Sequence, residues 1–290
     1  MSAKGHLFCF GCGYSAGVLT RLVEAEGWRT GGTSRDVTRR EVTQGDRLEP
    51  FDRARPLANA AGSLRDVTHL LISVPPDSSG DLVLALHGPV IAAAPRLQWI
   101  GYLSTTGVYG DTGGAIVDET ASLNPSNARG RYRVDAEAAW LAFGQTHGVA
   151  VQVFRLAGIY GPGRSALDKA RTGNARRIDL PGHAFSRIHV DDIAAVLRAS
   201  MAAPDAGRVY NVCDDEAAPG GDVVSFACDL LGVAPPPLVA LADADLSAMA
   251  RSFYDDSRRI SNTRIKRELG VNLRYPTYRE GLTAILAAEA

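Results

Sequence analysis

A glycine-rich motif near the N-terminus constrains the fold of this 290-residue chain more than any other feature. Gly11, Gly13 and Ala16 form G-x-G-x-x-A between an apolar run at His6–Phe10 and a helical pattern at Ala16–Glu26. The first glycine of such a motif permits a tight turn, the second lets the backbone approach a pyrophosphate, and the small third residue keeps the helix close to the strand. The helix N-terminus then offers free N–H groups to phosphates. The predicted dinucleotide contacts here are Gly11, Gly13, Tyr14, Ser15 and Ala16.

The first 160 residues alternate short apolar runs with helical patterns, an order typical of parallel βαβ units. The predicted strands are His6–Phe10, Trp28–Gly32, Arg47–Phe51, Thr68–Val74, Leu97–Ser104 and Ala150–Leu156. The predicted helices are Ala16–Glu26, Asp81–Ala94 and Arg131–His147. This pattern predicts an α/β fold of the Rossmann type, with a doubly wound parallel sheet.

The alternation of strands and helices ends after Gly161, where Gly- and Pro-rich turns separate short elements. A helix at Asp192–Met201, which we expect Asp191 or Asp192 to cap, and a strand at Arg208–Val212 still fit the sheet. We therefore predict a Rossmann domain from residues 1–160 plus about 187–213. Residues 161–186 and 214–290 are expected to form a smaller C-terminal domain that acts as a lid or binds substrate.

Composition limits the classes of function. A net charge of −1 gives no electrostatic argument for a nucleic-acid or membrane partner. The longest apolar stretch, Leu82–Ala94, is too short to span a bilayer, and the first residues do not resemble a signal peptide, so we expect a cytoplasmic protein. The histidines show no ligand spacing, and no metal site is predicted. Cys9 and Cys12 form a C-x-x-C, but their place in a strand and turn favours a structural role over a redox pair.

The end of the second strand indicates which dinucleotide is bound. NAD-binding proteins usually place an Asp or Glu there to hold the ribose hydroxyls. No carboxylate precedes Asp36 in this stretch, whereas Arg35 could pair with a 2′-phosphate and Ser34 could donate to it. NADP is therefore favoured, and NAD remains an alternative. Because ligands bind at the carboxyl ends of parallel strands, further cofactor contacts are expected at Val74, Pro75, Gly158 and Ile159.

Several later segments carry family-like patterns. Residues 103–110 read L-S-T-T-G-V-Y-G, residues 155–163 read R-L-A-G-I-Y-G-P-G, and residues 187–192 read R-I-H-V-D-D. In this order they resemble the extended short-chain dehydrogenase/reductases, the group that contains the NAD-dependent epimerase/dehydratases. The resemblance extends over nearly the whole chain, and it implies the same fold and a bound NAD(P).

The same resemblance fails at the motif that carries the family's chemistry, Y-x-x-x-K. Anchoring it between Pro125 and Glu137 places its tyrosine at Arg129 and its lysine at Arg133. A guanidinium stays charged at any working pH, so Arg129 cannot replace a tyrosine that transfers a proton. The resemblance implies that Arg133 holds the nicotinamide ribose in place of the lysine.

Two neighbouring residues complete the expected catalytic set. Thr105 falls on the family's serine or threonine, which implies that it orients a substrate oxygen. Tyr132 lies three residues after Arg129, so it is either a displaced catalytic tyrosine or an ordinary aromatic residue at the start of the helix.

These observations leave two main hypotheses. The first is an NADP-dependent oxidoreductase of the atypical short-chain type that acts on a carbonyl or carbinol substrate, with Arg129 binding an anionic group of that small molecule. The second is a catalytically inactive NADP-binding sensor or regulatory protein, which the missing Tyr/Lys pair supports. Nucleotide-sugar binding without redox chemistry is a third alternative. The resemblance also suggests a homodimer through the helices at Asp81–Ala94 and Arg131–His147.

Overall fold

The computed structural model describes residues 4–37, 48–246, 251, 254 and 256–289. Its strands are β1 (His6–Phe10), β2 (Arg29–Ser34), β3 (Glu49–Pro50), β4 (His69–Ile72), β5 (Trp99–Thr105), β6 (Ile116–Val117), β7 (Ala150–Leu156), β8 (Gly158–Tyr160), β9 (Arg177–Asp179), β10 (Arg187–His189), β11 (Val209–Val212), β12 (Leu238–Ala240) and β13 (Arg259–Ile260). Its helices are α1 (Tyr14–Ala25), α2 (Ala60–Leu64), α3 (Leu82–Ala92), α4 (Ala128–His147), α5 (Ala166–Arg171), α6 (Val190–Ala202), α7 (Gly220–Leu231), α8 (Thr263–Leu269) and α9 (Tyr278–Ala288). A 3₁₀ helix spans Thr106–Tyr109.

The central sheet confirms the predicted fold class. In the described part of the chain it has seven strands in the order β11-β7-β5-β4-β1-β2-β3, and its paired neighbours run parallel. Chain order reverses direction between β1 and β4, which is the switch point where a doubly wound sheet binds its ligand. Of the predicted third strand, Arg47 lies outside the described residues, and Glu49–Pro50 pairs with β2.

Side chains alternate across the sheet and divide the core in two. Leu7 and Cys9 of β1 belong to one buried cluster, which also contains Leu19 of α1 and Leu197 of α6. Phe8 and Phe10 point to the other face and join a second cluster, with buried residues of α3 and α4. The period of two along the strand produces this division. Helices therefore cover both faces, as a parallel sheet requires.

The elements after β7 add smaller pairings and a core of their own. Strand β10 pairs with β8, β12 with β9, and β13 with β6. Buried residues of α5, α7 and α9 pack around Tyr160 in a separate cluster. Strand β11 and helix α6 return to the main sheet, as the sequence predicted. None of the helices in the described ranges is long and apolar enough to cross a bilayer.

The start of α6 differs from the prediction. His189 caps this helix, because its Nδ1 accepts the backbone N–H of Asp191 at 3.2 Å. Asp192 is buried and instead accepts the backbone N–H groups of Arg274, at 2.7 Å, and Tyr275, at 3.1 Å. Its carboxylate therefore ties the helix to the C-terminal segment, a long-range contact that a local capping rule does not anticipate.

Candidate dinucleotide and substrate site

The glycine turn after β1 is held by the two strands beside it. Gly11 has φ +86°, a left-handed conformation that favours glycine, and a Cβ there would lie 2.9 Å from Ser73 Oγ. The Gly11 N–H donates to Thr33 Oγ1 at 2.9 Å, and the Ser73 hydroxyl donates to the Gly11 carbonyl. The Cys12 N–H donates to the Thr33 carbonyl at 2.6 Å. Thr33 and Ser73 were not among the predicted site residues, because only the folded sheet places them against the turn.

Gly13 faces open space at the start of α1. No atom lies within 4 Å of the position that a Cβ would take there. Gly13 is the N-cap residue, and no side chain caps the helix, so its first N–H groups are available to a ligand. Ser15 and Ala16 are buried against the sheet behind this end. An unfilled space in front of uncapped N–H groups fits the pyrophosphate of a dinucleotide.

Tyr14 links this helix start to the turn after β8. Its hydroxyl donates to the Pro162 carbonyl at 3.0 Å, and the Arg164 guanidinium lies 5.7 Å from its ring centre. Burial raises the pKa of Tyr14 to about 12, so it stays protonated and a donor. Arg164 is exposed beside the phosphate-facing end of α1, a position that its place in the sequence did not reveal.

Two arginines lie near the carboxyl end of β2: Arg35 follows the strand directly, and Arg55 comes from the loop after β3. Arg35 is exposed, and Arg55 Nη2 donates to its carbonyl oxygen at 3.1 Å while also pairing with Asp52. The Ser34 hydroxyl forms a local turn, in which it donates to the Asp36 carbonyl at 2.9 Å and accepts the Asp36 N–H at 3.2 Å. The Arg55 side chain is therefore held against the backbone of the residue that follows β2.

The other four residues expected to contact a cofactor come soon after strands of the central sheet. Val74 lies next to Gly11, with its backbone nitrogen 3.3 Å from the Cβ position of that glycine, and Pro75 is exposed beyond it. Gly158 and Ile159 begin β8 directly after β7, and the Gly158 N–H donates to the Ser186 carbonyl at 3.1 Å. These residues all lie after the carboxyl ends of strands of the central sheet.

Thr105 ends β5 above a buried polar network. Its Oγ1 accepts the Gly107 N–H at 3.1 Å and so caps the 3₁₀ helix. Below it, the Ser104 hydroxyl donates to Glu137 Oε1 at 2.5 Å. Glu137 also pairs with Arg155 at 2.7 Å, and both side chains are almost fully buried. This network fixes the end of β5 against α4 and β7, and thereby fixes the position of Thr105.

The first turn of α4 shows where the Y-x-x-x-K positions lie. Arg129 is exposed and Tyr132 is half-buried, and neither side chain has a hydrogen bond or ion pair with the described residues. Arg133 turns towards β5, where Nη1 donates to the Leu103 carbonyl and lies 3.4 Å from Tyr102 Oη. The structure therefore brings Arg133 to the strand end that carries Thr105, while the hydroxyl of Tyr132 is not hydrogen-bonded to Thr105.

The basic residues of the C-terminal half have other partners. Arg171 pairs with Glu289 at 2.5 Å, Arg176 donates to the carbonyls of Gly173 and Ala175, and Arg177 donates to Pro236. These contacts account for the three arginines without a ligand. No group of three or more His, Cys, Asp or Glu side chains in the described ranges could hold a metal ion.

Comparison with known proteins relates the chain to a family and to solved structures of the same fold. A model of the NAD dependent epimerase/dehydratase family matches residues 89–213. A solved structure of a functionally unknown conserved protein from Silicibacter pomeroyi DSS is 52% identical, with a TM-score of 0.89 and 99% of each chain covered. Protein YeeZ of Escherichia coli (strain K12) is 27% identical over 279 residues, which are 92% of this chain and 94% of YeeZ.

A more distant structure shows the same fold with a dinucleotide bound. The dTDP-glucose 4,6-dehydratase of Bacillus anthracis str. Ames, solved in complex with NAD, has a TM-score of 0.76 at 18% identity over 98% of this chain and 96% of the dehydratase. The sheet, the glycine turn and these comparisons define a Rossmann-fold protein. Over residues 89–213 the chain matches the NAD dependent epimerase/dehydratase family, which confirms the resemblance seen in its sequence.

Proposed function

We propose that this protein is an NADP-dependent oxidoreductase that interconverts a carbonyl and a carbinol. The observation that carries the proposal is the open space at Gly13 in front of uncapped helix N–H groups, on the same edge of the sheet as Thr105 and Arg133. When bound, the nicotinamide supplies or accepts a hydride, and the residues of the chain bind, orient and protonate.

The roles of the residues follow from their contacts. Thr105 presents a hydroxyl whose oxygen already accepts from Gly107, so its proton is free to be donated to a substrate oxygen. Arg133 keeps a positive charge at the end of β5, with several N–H groups left to bind ribose hydroxyls. Arg129 is exposed at the start of α4 and is available to an anionic group of the substrate.

Proton transfer needs a group other than the family's tyrosine. Tyr132 is half-buried one turn after Arg129 and carries an uncommitted hydroxyl, so we assign it this role, with a bound water as the alternative donor.

The preference for NADP rests on the two arginines at the end of β2. Arg35 is exposed directly after β2, and the Arg55 guanidinium is anchored to the Arg35 carbonyl and to Asp52. A 2′-phosphate would pair with them, whereas the ribose hydroxyls of NAD would gain no charge-assisted bond there.

The test combines binding with turnover. Calorimetric titration with NADP⁺ and with NAD⁺ should show tighter binding of NADP⁺, and Arg35→Ala should reduce that preference by about 10-fold or more, the value of one charge-assisted contact. Arg65→Ala is a matched control, since Arg65 is also exposed but lies far along the chain from β2. Failure of both dinucleotides to bind would contradict the proposal.

A turnover assay distinguishes the proposed enzyme from the alternative of a catalytically inactive sensor. A screen of carbonyl substrates at 340 nm should find oxidation of NADPH, and Tyr132→Phe should lower kcat by about 10²-fold or more if Tyr132 carries the proton. Dinucleotide binding without turnover across a broad panel would favour the sensor. Turnover that Tyr132→Phe leaves unchanged would assign the proton to water.

A further inference from the structure

The C-terminal segment at 256–258 lies across the loop that follows β5. The Ser257 N–H donates to Asp111 Oδ1 at 2.9 Å, and the Ser257 carbonyl accepts the N–H groups of Thr112, at 3.1 Å, and Gly114, at 2.9 Å. Strand β13 continues from it and pairs with β6. The segment is therefore fixed by hydrogen bonds to the loop at 111–114.

Arg258 extends from this segment towards the end of β5. Its Nη1 donates to the Gly110 carbonyl at 3.0 Å and to Asp256 Oδ2 at 2.7 Å, and Asp256 is held in turn by the Ser126 hydroxyl at 2.7 Å. These contacts lock the plane of the guanidinium. No hydrogen bond with the described residues uses Nη2, although arginine has five N–H donors.

The uncommitted Nη2 and the Thr105 hydroxyl both lie close to Gly107. A Cβ on this glycine would lie 3.9 Å from Arg258 Nη2 and 3.4 Å from Thr105 Oγ1. The φ of Gly107 is not in the left-handed region, so the backbone conformation does not require a glycine here. The missing side chain leaves room for a ligand to approach this glycine, near both a cation and the hydroxyl expected to bind the reacting oxygen.

We infer that Arg258 binds a carboxylate attached directly to the reacting carbon of the substrate, which makes the substrate a 2-oxo or 2-hydroxy acid. This inference rests on the proposed function of the site. Two donors this close to Gly107 can hold the keto oxygen and one carboxylate oxygen of a single small molecule. In reduction the keto carbon takes a hydride from NADPH, its oxygen takes a proton, and the carboxylate is unchanged.

Charge distinguishes a carboxylate from a phosphate at this position. Arg258 already pairs with Asp256, so its charge is largely balanced before a ligand arrives. A singly charged carboxylate adds one negative charge, which the N-terminal end of α4, next to the Ser126 that binds Asp256, can offset. A doubly charged phosphate would leave an excess of negative charge beside Asp256.

The experiment uses a matched pair of small ligands. Oxamate carries one carboxylate, and oxamide is its neutral counterpart of similar shape. Each is titrated calorimetrically into the protein alone and into the protein with NADPH. Oxamate should bind and oxamide should not, and Arg258→Met should weaken oxamate by about 10- to 100-fold, the loss expected for a charge-assisted bond.

Two variants keep the test independent of folding. Gly107→Ala meets only ordinary contacts of 3.4 to 3.9 Å, so it should fold and should also weaken oxamate by filling the space. Arg208→Met removes an arginine paired with Asp205 outside this site and should leave oxamate binding unchanged. In turnover, 2-oxo acids should exceed their methyl esters in kcat/KM, and Arg258→Met should remove that preference.

The failures of the two proposals can be distinguished. Oxamate that does not bind the natural protein, or that binds Arg258→Met and Gly107→Ala equally well, overturns the carboxylate site even if NADP⁺ binds normally. Loss of dinucleotide binding with oxamate binding intact overturns the proposed oxidoreductase and leaves the carboxylate site standing.

Discussion

Two alanine substitutions in the glycine turn should have opposite consequences, because the two glycines face different surroundings. At Gly13, with φ −94°, a Cβ would meet no atom within 4 Å. Gly13→Ala therefore adds no strain, and the small cost of alanine at an N-cap is offset by the lower entropy of the unfolded chain. The free energy of unfolding should change by less than about 1 kcal/mol.

The same methyl group should weaken the binding of the dinucleotide. If the pyrophosphate occupies the open space, the methyl prevents its approach and weakens one or two charge-assisted bonds to backbone N–H groups. Each such bond contributes about 1.5–3 kcal/mol. The Kd for NADP⁺ should then rise by about 10- to 10³-fold.

Gly11→Ala provides the contrast. With φ +86°, a non-glycine residue costs about 1–2 kcal/mol. Its Cβ would also lie 2.9 Å from Ser73 Oγ and 3.0 Å from Val74 Cγ2, a degree of overpacking that costs about 1–3 kcal/mol. The free energy of unfolding should therefore fall by about 2–5 kcal/mol.

Urea denaturation gives the stabilities of both variants, and calorimetry gives the affinity of any variant that remains folded. The reasoning predicts a folded Gly13→Ala that binds NADP⁺ poorly and a destabilised Gly11→Ala. A Gly13→Ala protein that binds NADP⁺ as tightly as the natural one would show that the phosphates do not approach this glycine. A Gly11→Ala protein of natural stability would refute the strain argument.

Three further predictions test the polar groups of the core and the site. Glu137→Gln should lower the free energy of unfolding by about 3–5 kcal/mol in urea denaturation, because it leaves the buried Arg155 charge uncompensated, whereas Glu289→Gln in an exposed pair should cost less than about 1 kcal/mol. Burial raises the pKa of Asp214 to about 8, so the folded state keeps a proton that the unfolded chain loses near pH 4. The contribution of this protonated carboxyl to the free energy of unfolding is fully present below pH 4 and is lost as the pH rises towards 8. Asp214→Asn should therefore gain stability over the natural protein between pH 4 and 8, by at most about 1.4 kcal/mol per pH unit, and an equal difference at pH 5 and pH 8 would contradict this. Thr105→Val should lower kcat/KM for any substrate found by about 10²-fold while NADP⁺ binding is retained, and an unchanged rate would remove Thr105 from the reaction.

Local sequence patterns were sufficient to predict the strands and helices of the central domain. The strands at His6–Phe10 and Ala150–Leu156 agree residue for residue with the prediction, and α1 begins two residues before its predicted start at Ala16. Buried parallel strands and amphipathic helices are encoded by periods of 2 and 3.6 residues, and the glycine turn by residues that only that geometry favours. For these reasons the fold class and the phosphate-facing end of α1 follow from the sequence.

The surroundings of the site depended on contacts between distant parts of the chain. Thr33 and Ser73 hold the glycine turn from neighbouring strands, and Arg258 reaches Gly107 from more than a hundred residues away. No local sequence pattern identifies these three residues as part of the site. A polar or charged residue is predicted to be solvent-exposed unless its partner is known. The sequence by itself determined the sheet, the dinucleotide turn and the absence of a tyrosine at position 129. Only the tertiary structure decided which cation lies beside Thr105, since that position depends on where the chain returns after β11.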